Sequence, residues 1–302
     1  MLQIINLWRF KRRRKKASVT VMPVRRDVTF SLPPDRIHDW TGEGVHYTML
    51  ENTMSLVIPV GERFFIDSVR YYRDQIQDAG LKQAVKAFIG QEAMHGREHD
   101  AYNAHMMTRS PSAEQFEERI RKLLNWFQDN TSPSFQLSIT IALEHFTALI
   151  GGGHLDLLDH PAYLPDAEPN YRDLWTWHSL EETEHKSVAF DVWIDTQGSS
   201  LRTYLERIFG MTVASAIFWS FTLPQLMKFV HEEGKLLDLR GWGHSLYFNV
   251  INPGLMRRMF LPYLDYYRPG FHPWDHDNSH HLEAIEGFTR TFQKSRPASV
   301  IT

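Results

Sequence analysis

The sequence predicts an all-α protein, a four-helix bundle enlarged by additional helices. Apolar residues recur at helical spacing along most of the chain, and no stretch of useful length alternates as a half-buried strand would. Two separate helical segments each carry Glu-x-x-His, at Glu92/His95 and at Glu182/His185. No sequence repeat and no Gly-rich phosphate loop competes with that reading.

The chain has 302 residues, 42% hydrophobic and 13% aromatic, enough apolar material for one sizeable core. With 23% charged residues it sits near the globular average. It contains no cysteine. Disulfides, thiolate ligands and a cysteine nucleophile are thereby excluded, and any metal must be held by His, Asp and Glu. That usage suits a cytoplasmic protein. Nine of the 33 Lys and Arg lie in residues 1–26, which hold no Asp or Glu; the remainder carries 24 basic against 36 acidic side chains. An acidic body of this kind is a poor partner for nucleic acid.

We divide the chain into a basic, flexible tail (1–26), a single helical domain (27–285) and a C-terminal tail (286–302). "MLQIINLWRFKRRRKK" is not a signal peptide, since its basic residues follow the apolar run. It reads as a solvated tail; the alternative is a short amphipathic anchor making peripheral membrane contact.

Residues 17–45, broken by Pro23, Pro33, Pro34 and Gly42, form an extended lead-in. A mostly apolar helix follows from Tyr47 to Gln77, where Pro59 either starts a helix or kinks a longer one. "DAG" stops it. The next helix runs from Leu81 to Met107, "SPS" punctuates, and Ala113–Gln128 is a polar amphipathic helix. Phe135–Ile150 is an apolar helix for which Gly151–Gly153 is the expected stop. A Pro-rich loop leads to one long helix, Tyr171–Thr196, closed by Gly198. Ile208–Met227 has twenty residues without a charge. That length spans a bilayer, but Thr, Ser, Gln and Pro224 dilute it, so a buried bundle helix is expected and a membrane-facing one is the alternative. Leu246–Tyr267 is a further helix. The four histidines His272, His276, His280 and His281 read as part of a surface loop without function.

The chemistry lies in "WHSLEETEH". His178, Glu182 and His185 fall on one helical face within about 60°. Glu181 and Glu184 are expected to face outward. Alone, the stretch reads as well as a solvated charged patch. The second motif, "FIGQEAMHGREH", places Glu92 and His95 at i, i+3 with His99 one turn on. Two Glu-x-x-His helices suggest a di-metal carboxylate site in a four-helix bundle, which also requires one carboxylate from each of two other helices. Glu144 is the one acidic residue in "TIALEHFTALI", where an unpaired carboxylate would be costly. Its neighbour His145 points about 100° away and is read as structural.

For the remaining helix the candidates are Glu51 and Glu62. Glu92 lies about 20 Å beyond the turn near Ala79, Glu62 about 25 Å before it and Glu51 about 42 Å before it. In an antiparallel pair only Glu62 reaches the depth of Glu92. The predicted metal ligands are therefore Glu62, Glu92, His95, Glu144, His178, Glu182 and His185. Four carboxylates offset the charge of two divalent ions. Such nitrogen and oxygen donors suit iron or manganese and could also hold zinc.

With these residues in place, the chain resembles the ferritin-like di-iron carboxylate superfamily. The pattern "PVGERFF", "FIGQEAMHGREH", "ALEHFTA" and "WHSLEETEHKSVAFDVW" resembles a bacterial family described as predicted metal-dependent hydrolases, over about residues 25–285. His178 makes the site similar to that of the di-iron p-aminobenzoate N-oxygenases. The resemblance implies the same seven ligands. His99 departs from it, as an eighth ligand, a group behind the ligands or a proton donor.

The expected function is a di-iron enzyme that uses O2 as co-substrate to oxidise a small organic, apolar substrate. Aromatic residues near the motifs, among them Phe146 and Trp175, either line its channel or belong to the core. No nicotinamide or flavin motif is present, so electrons would come from an external donor such as a ferredoxin or a reductase. The alternative is a non-redox hydrolase using metal-activated water, with Glu98 or His99 as general base. A homodimer is compatible with either reading.

Overall fold

The computed structural model describes residues 19–293. The apolar and basic residues 1–16 lie outside that range, as do residues 294–302. All regular structure among the described residues is helical. The helices are α1 (Val45–Tyr72), α2 (Ala79–Arg109), α3 (Pro111–Asn130), α4 (Pro133–Leu157), α5 (Pro169–His185), α6 (Val188–Gln197), α7 (Leu201–Glu232), α8 (Leu239–Val250), α9 (Leu255–Asp265) and α10 (Ile285–Gln293). The predicted all-α bundle is what forms. α1 packs along α2 and α4 along α5, with α7 laid across α4 and α1.

The caps follow the sequence. The Asp78 side chain accepts from Leu81 N, 2.8 Å away, and starts α2. Ser132 does the same for α4 through Phe135 N. Pro111, Pro133 and Pro169 occupy first-turn positions, where the missing N–H costs nothing. Pro59, by contrast, stays inside α1. Its ring removes the donor for the Ser55 carbonyl. The Asn103 side-chain amide replaces that donor, with Nδ2 3.1 Å from Ser55 O.

Four expectations change. Gly151–Gly153 do not stop α4. A Cβ on Gly151 would lie 3.1 Å from Ser179 Cα, and one on Gly153 would run into the Leu255 side chain, so these glycines let α5 and α9 approach α4. The helix expected over Tyr171–Thr196 breaks at Lys186–Ser187, directly after His185. There the Lys186 ammonium donates to His276 O and Asn278 Oδ1, each at 2.6 Å, and Ser187 donates to Asp191. The expected Leu246–Tyr267 helix is two helices parted at Pro253 and Gly254, the latter at φ 79°. The apolar segment belongs to a longer helix, α7, that is neither wholly buried nor wholly free. Gly210 sits tightly against Ser138 of α4, while Phe209, Leu223 and Met227 are exposed. By length and composition α7 is the one described helix that could cross a membrane; a third of its most apolar window is buried within the fold.

The ends also differ from the expected tails. Val19 and Met22 pack on the core. Arg26 is 3% exposed. Its guanidinium binds Glu184 at 2.9 and 3.0 Å and Glu286 of α10 at 2.7 Å. Phe288 and Phe292 of α10 pack against the interior. Of the terminal histidines, His272 bonds Asp191 at 3.1 Å and His281 bonds Asp156 at 2.8 Å. His280, His281 and Asp156 form a surface group.

Candidate metal centre

The bundle brings all seven predicted side chains together from four helices: Glu62 on α1, Glu92 and His95 on α2, Glu144 on α4, and His178, Glu182 and His185 on α5. They form three overlapping groups, Glu62/His95/His178, Glu92/His95/Glu182 and Glu92/Glu144/His185, each with donor atoms within 4.8 Å of one another. All seven are buried. Opposite Glu62 stands Gly96, where a Cβ would lie 3.3 Å from Glu62 Oε2.

Each histidine uses one ring nitrogen outside the cluster and turns the other inward. His95 Nε2 meets Glu181 Oε2 at 3.1 Å, which leaves Nδ1 facing Glu62 (3.6 Å) and Glu182 (4.0 Å). His185 Nδ1 meets Gln91 Oε1 at 3.1 Å, which leaves Nε2 facing Glu92 (3.0 Å), Glu182 (3.6 Å) and Glu144 (3.7 Å). The Gln91 amide is oriented by its other end, which donates to Val24 O and to Glu184. Its oxygen therefore accepts from His185 Nδ1–H.

His178 is fixed by a chain of three residues, Asn103, Ser55 and His99. The Ser55 carbonyl can only accept, so Asn103 turns Nδ2 toward it and Oδ1 toward the Ser55 hydroxyl. That hydroxyl donates to Oδ1 at 2.7 Å and accepts from His99 Nδ1 at 2.8 Å. His99, kept neutral by burial and by His178, then accepts at Nε2 from His178 Nδ1–H, 2.9 Å away. His178 Nε2 is left with a lone pair 3.1 Å from Glu182 Oε1. Two lone-pair atoms at that separation require a proton or a cation between or beside them. The arrangement matches the common pattern in which a ligating histidine donates its second N–H to a fixed partner.

The cluster is also short of donors. Both oxygens of Glu62, Glu92 and Glu144, with His95 Nδ1 and His185 Nε2, are buried without a hydrogen-bond partner among the described residues. Unpartnered carboxylates at such depth are costly unless a cation is bound. Burial and the neighbouring carboxylates drive Glu62 and Glu144 well above the usual range. Burial lowers His95 strongly, with His178 and His185 adding to it. Burial opposes charge on Glu182 and on His185 as well, but their mutual attraction prevails, lowering Glu182 and raising His185. The donor set, oxygen-rich with three imidazole nitrogens, fits two divalent ions.

Two expectations fail around this core. Glu181 and Glu184 do not face outward; they are 0% and 6% exposed. Glu181 lies only about 40° around the helix from His185, so the phase that selected Glu182 also admitted Glu181. Burial pushes its carboxyl up to about 8 despite the neighbouring Arg26. Glu98 is engaged elsewhere, accepting from Phe30 N at 3.0 Å and from Arg97 at 2.8 Å. His99 stands behind His178. Sequence reading did not foresee Gln91, Arg26, Ser55 or Asn103, whose roles depend on partners far along the chain. Thr147, which donates to Glu182 Oε2 at 2.6 Å, had a signal in its position three residues after Glu144. His145 is structural as expected: it packs on Tyr266 and Phe271, and burial lowers it to about 3.

A cavity of about 130 Å³ opens beside Glu62, His178 and Glu182. Its walls come from α1, α3, α4, α5 and α7 and are mainly apolar, with Phe65, Leu143, Phe146, Ile217 and Phe221 among them. Most of the cluster's aromatic neighbours are core; Phe146 and Trp175 line this space.

A family model described as a predicted metal-dependent hydrolase matches residues 24–277. No curated protein and no solved structure matches the chain. With the donor set on four helices and a family match over most of its length, the chain belongs to the family of predicted metal-dependent hydrolases.

Proposed function

We propose that the chain is a di-metal, preferentially di-iron, enzyme that uses O2 to oxidise an apolar organic substrate, with electrons from an external donor such as a ferredoxin or a reductase. The seven ligands would be Glu62, Glu92, His95, Glu144, His178, Glu182 and His185. The observation that carries this reading is the pairing of that cluster with an apolar cavity. Two redox-active ions held there would supply the O2 chemistry. The chain's own part is to fix three histidines by their outer nitrogens, to gather four carboxylates in a buried site where two cations would offset their charge, and to hold an apolar molecule beside Glu62 and His178. Thr147 positions Glu182, and His99 can pass a proton only through His178.

Hydrolysis is the second reading, and the family description supports it. Against it, Glu98 is tied to Arg97 and Phe30, and among the described residues no Lys, Arg or Asp lines the cavity to steady a polar leaving group. The two readings separate by metal analysis of purified protein, anaerobic reduction and measured O2 uptake. About two irons per chain and uptake on re-exposure are expected; zinc, no uptake and turnover of model esters would establish hydrolysis instead.

A further inference from the structure

Outside the proposed ligands, the cavity beside the cluster leaves one buried polar atom unaccounted for. Threonines within the helices of this protein characteristically return their hydroxyl to a carbonyl one turn back, as Thr53, Thr196, Thr212 and Thr289 do. Thr222, at 0% exposure in the middle of α7, does not, and its Oγ1 has no partner. The Trp175 indole, on α5, turns its N–H toward the Tyr102 hydroxyl instead. Thr222 lines the cavity. A buried hydroxyl left without a partner is costly, and apart from Thr147, Ser179 and the cluster's own Glu62, His178 and Glu182 the wall formed by the described residues is mainly hydrocarbon, with no Lys or Arg.

We propose that the substrate is an uncharged, mainly hydrocarbon molecule carrying one neutral hydrogen-bonding oxygen, for which the Thr222 hydroxyl supplies the partner, with its reactive end facing Glu62, His178 and Glu182. A free carboxylate or ammonium would enter without a counter-charge, because the four cluster carboxylates already match two divalent ions. The proposal rests on the cluster being the reaction centre, and extends it to what the cavity selects.

The test is equilibrium binding to the metal-loaded protein, with the neutral dye N-phenyl-1-naphthylamine displaced by 1-octanol, octanoate or octylammonium. 1-Octanol should displace the dye, and the two ions should do so at least a hundredfold more weakly, since neither charge finds a partner. Thr222→Val, which keeps the shape and removes the hydroxyl, should weaken 1-octanol about three- to tenfold, one hydrogen bond's worth, without changing dye affinity. Ile217→Trp should abolish dye binding while metal content and helicity are retained. Octanoate or octylammonium binding as tightly as the alcohol, failure of the alcohol to displace the dye, an unaltered alcohol affinity in Thr222→Val, or full dye binding in Ile217→Trp would each overturn the proposal. Because binding is read without turnover, a protein that takes up no O2 can still bind as described. Conversely, a failure here leaves the O2 measurement to be judged alone.

Discussion

His95 Nε2 lies 3.1 Å from Glu181 Oε2, while Nδ1 of the same ring faces Glu62 and Glu182 with no hydrogen-bond partner. The outer carboxylate thus decides which nitrogen the cluster receives. Glu181→Ala frees the ring to turn and removes the acceptor that favours an Nδ1 lone pair. Loss of such a partner lowers metal affinity about 10- to 100-fold. Glu181→Gln, which can present its amide oxygen, should retain much of the affinity. Competition against a chromophoric chelator reads both; unchanged affinity in a folded Glu181→Ala protein would remove Glu181 from the site.

Arg26 holds the same outer layer from the other side. It bonds Glu184 twice and Glu181 at 3.4 Å, and Glu184 in turn orients Gln91 against His185. Removing the guanidinium leaves two buried carboxylates without their cation, a loss of about 3–5 kcal/mol. Arg26→Ala should therefore lower the denaturant midpoint strongly in metal-free protein. Glu286, the third partner, is 58% exposed, and Glu286→Ala should cost less than about 1 kcal/mol. Equal effects of the two substitutions would contradict this division.

The four-helix assignment makes a sharper demand on metal content. Glu144→Ala and Glu62→Ala should each lose at least one of two metal ions by elemental analysis. Glu51 is half-buried beside Tyr47 and Tyr163, where burial pushes its carboxyl up to about 7, and it joins none of the donor groups among the described residues. Glu51→Ala should keep both ions. The reverse result, retention in Glu62→Ala and loss in Glu51→Ala, would show the wrong carboxylate was chosen on α1.

What the sequence made legible was whatever helical periodicity and depth could express. Glu144 stood out as a lone carboxylate in an apolar helix, and the two Glu-x-x-His motifs shared a phase. Counting rise from the α1–α2 turn then separated Glu62 from Glu51. The outer layer was hidden for a different reason. Arg26 meets Glu181 across 155 positions, and Asn103 meets Ser55 across 48, distances over which local pattern says nothing. Gly151–Gly153 were misread because glycine ends helices and also lets helices touch, and sequence does not separate the two uses. Glu181 was the avoidable miss, since its helical angle lies within the face already chosen.

That second use of glycine is testable. A Cβ on Gly151 would stand 3.1 Å from Ser179 Cα and 3.3 Å from its Cβ, and α4 and α5 carry Glu144, His178, Glu182 and His185 between them. Gly151→Ala should destabilise by about 1–3 kcal/mol through overpacking, outweighing the gain in helix propensity. By prying the two helices apart it should also weaken metal binding. Gly243, inside α8 with nothing within 4 Å, supplies the contrast: Gly243→Ala should raise stability by about 1 kcal/mol. Thermal midpoints of the two variants should move in opposite directions.

His154 gives a pH dependence whose sign is fixed by its surroundings. Nδ1 meets Tyr163 OH at 2.7 Å and Nε2 meets Thr176 Oγ1 at 3.1 Å, and burial lowers the ring to about 4. In the unfolded chain a histidine titrates near 6.5. Between those values the unfolded state binds a proton that the folded state refuses. The stability His154 contributes is therefore complete above about pH 6.5 and is lost progressively as pH falls toward 4, by about 3 kcal/mol in all. His154→Gln cannot titrate and lacks that loss. Urea midpoints of the two proteins, compared between pH 7.5 and 4.5, should show the wild-type advantage shrinking on acidification. A constant difference across the range would mean that the ring takes up its proton inside the fold as readily as outside it.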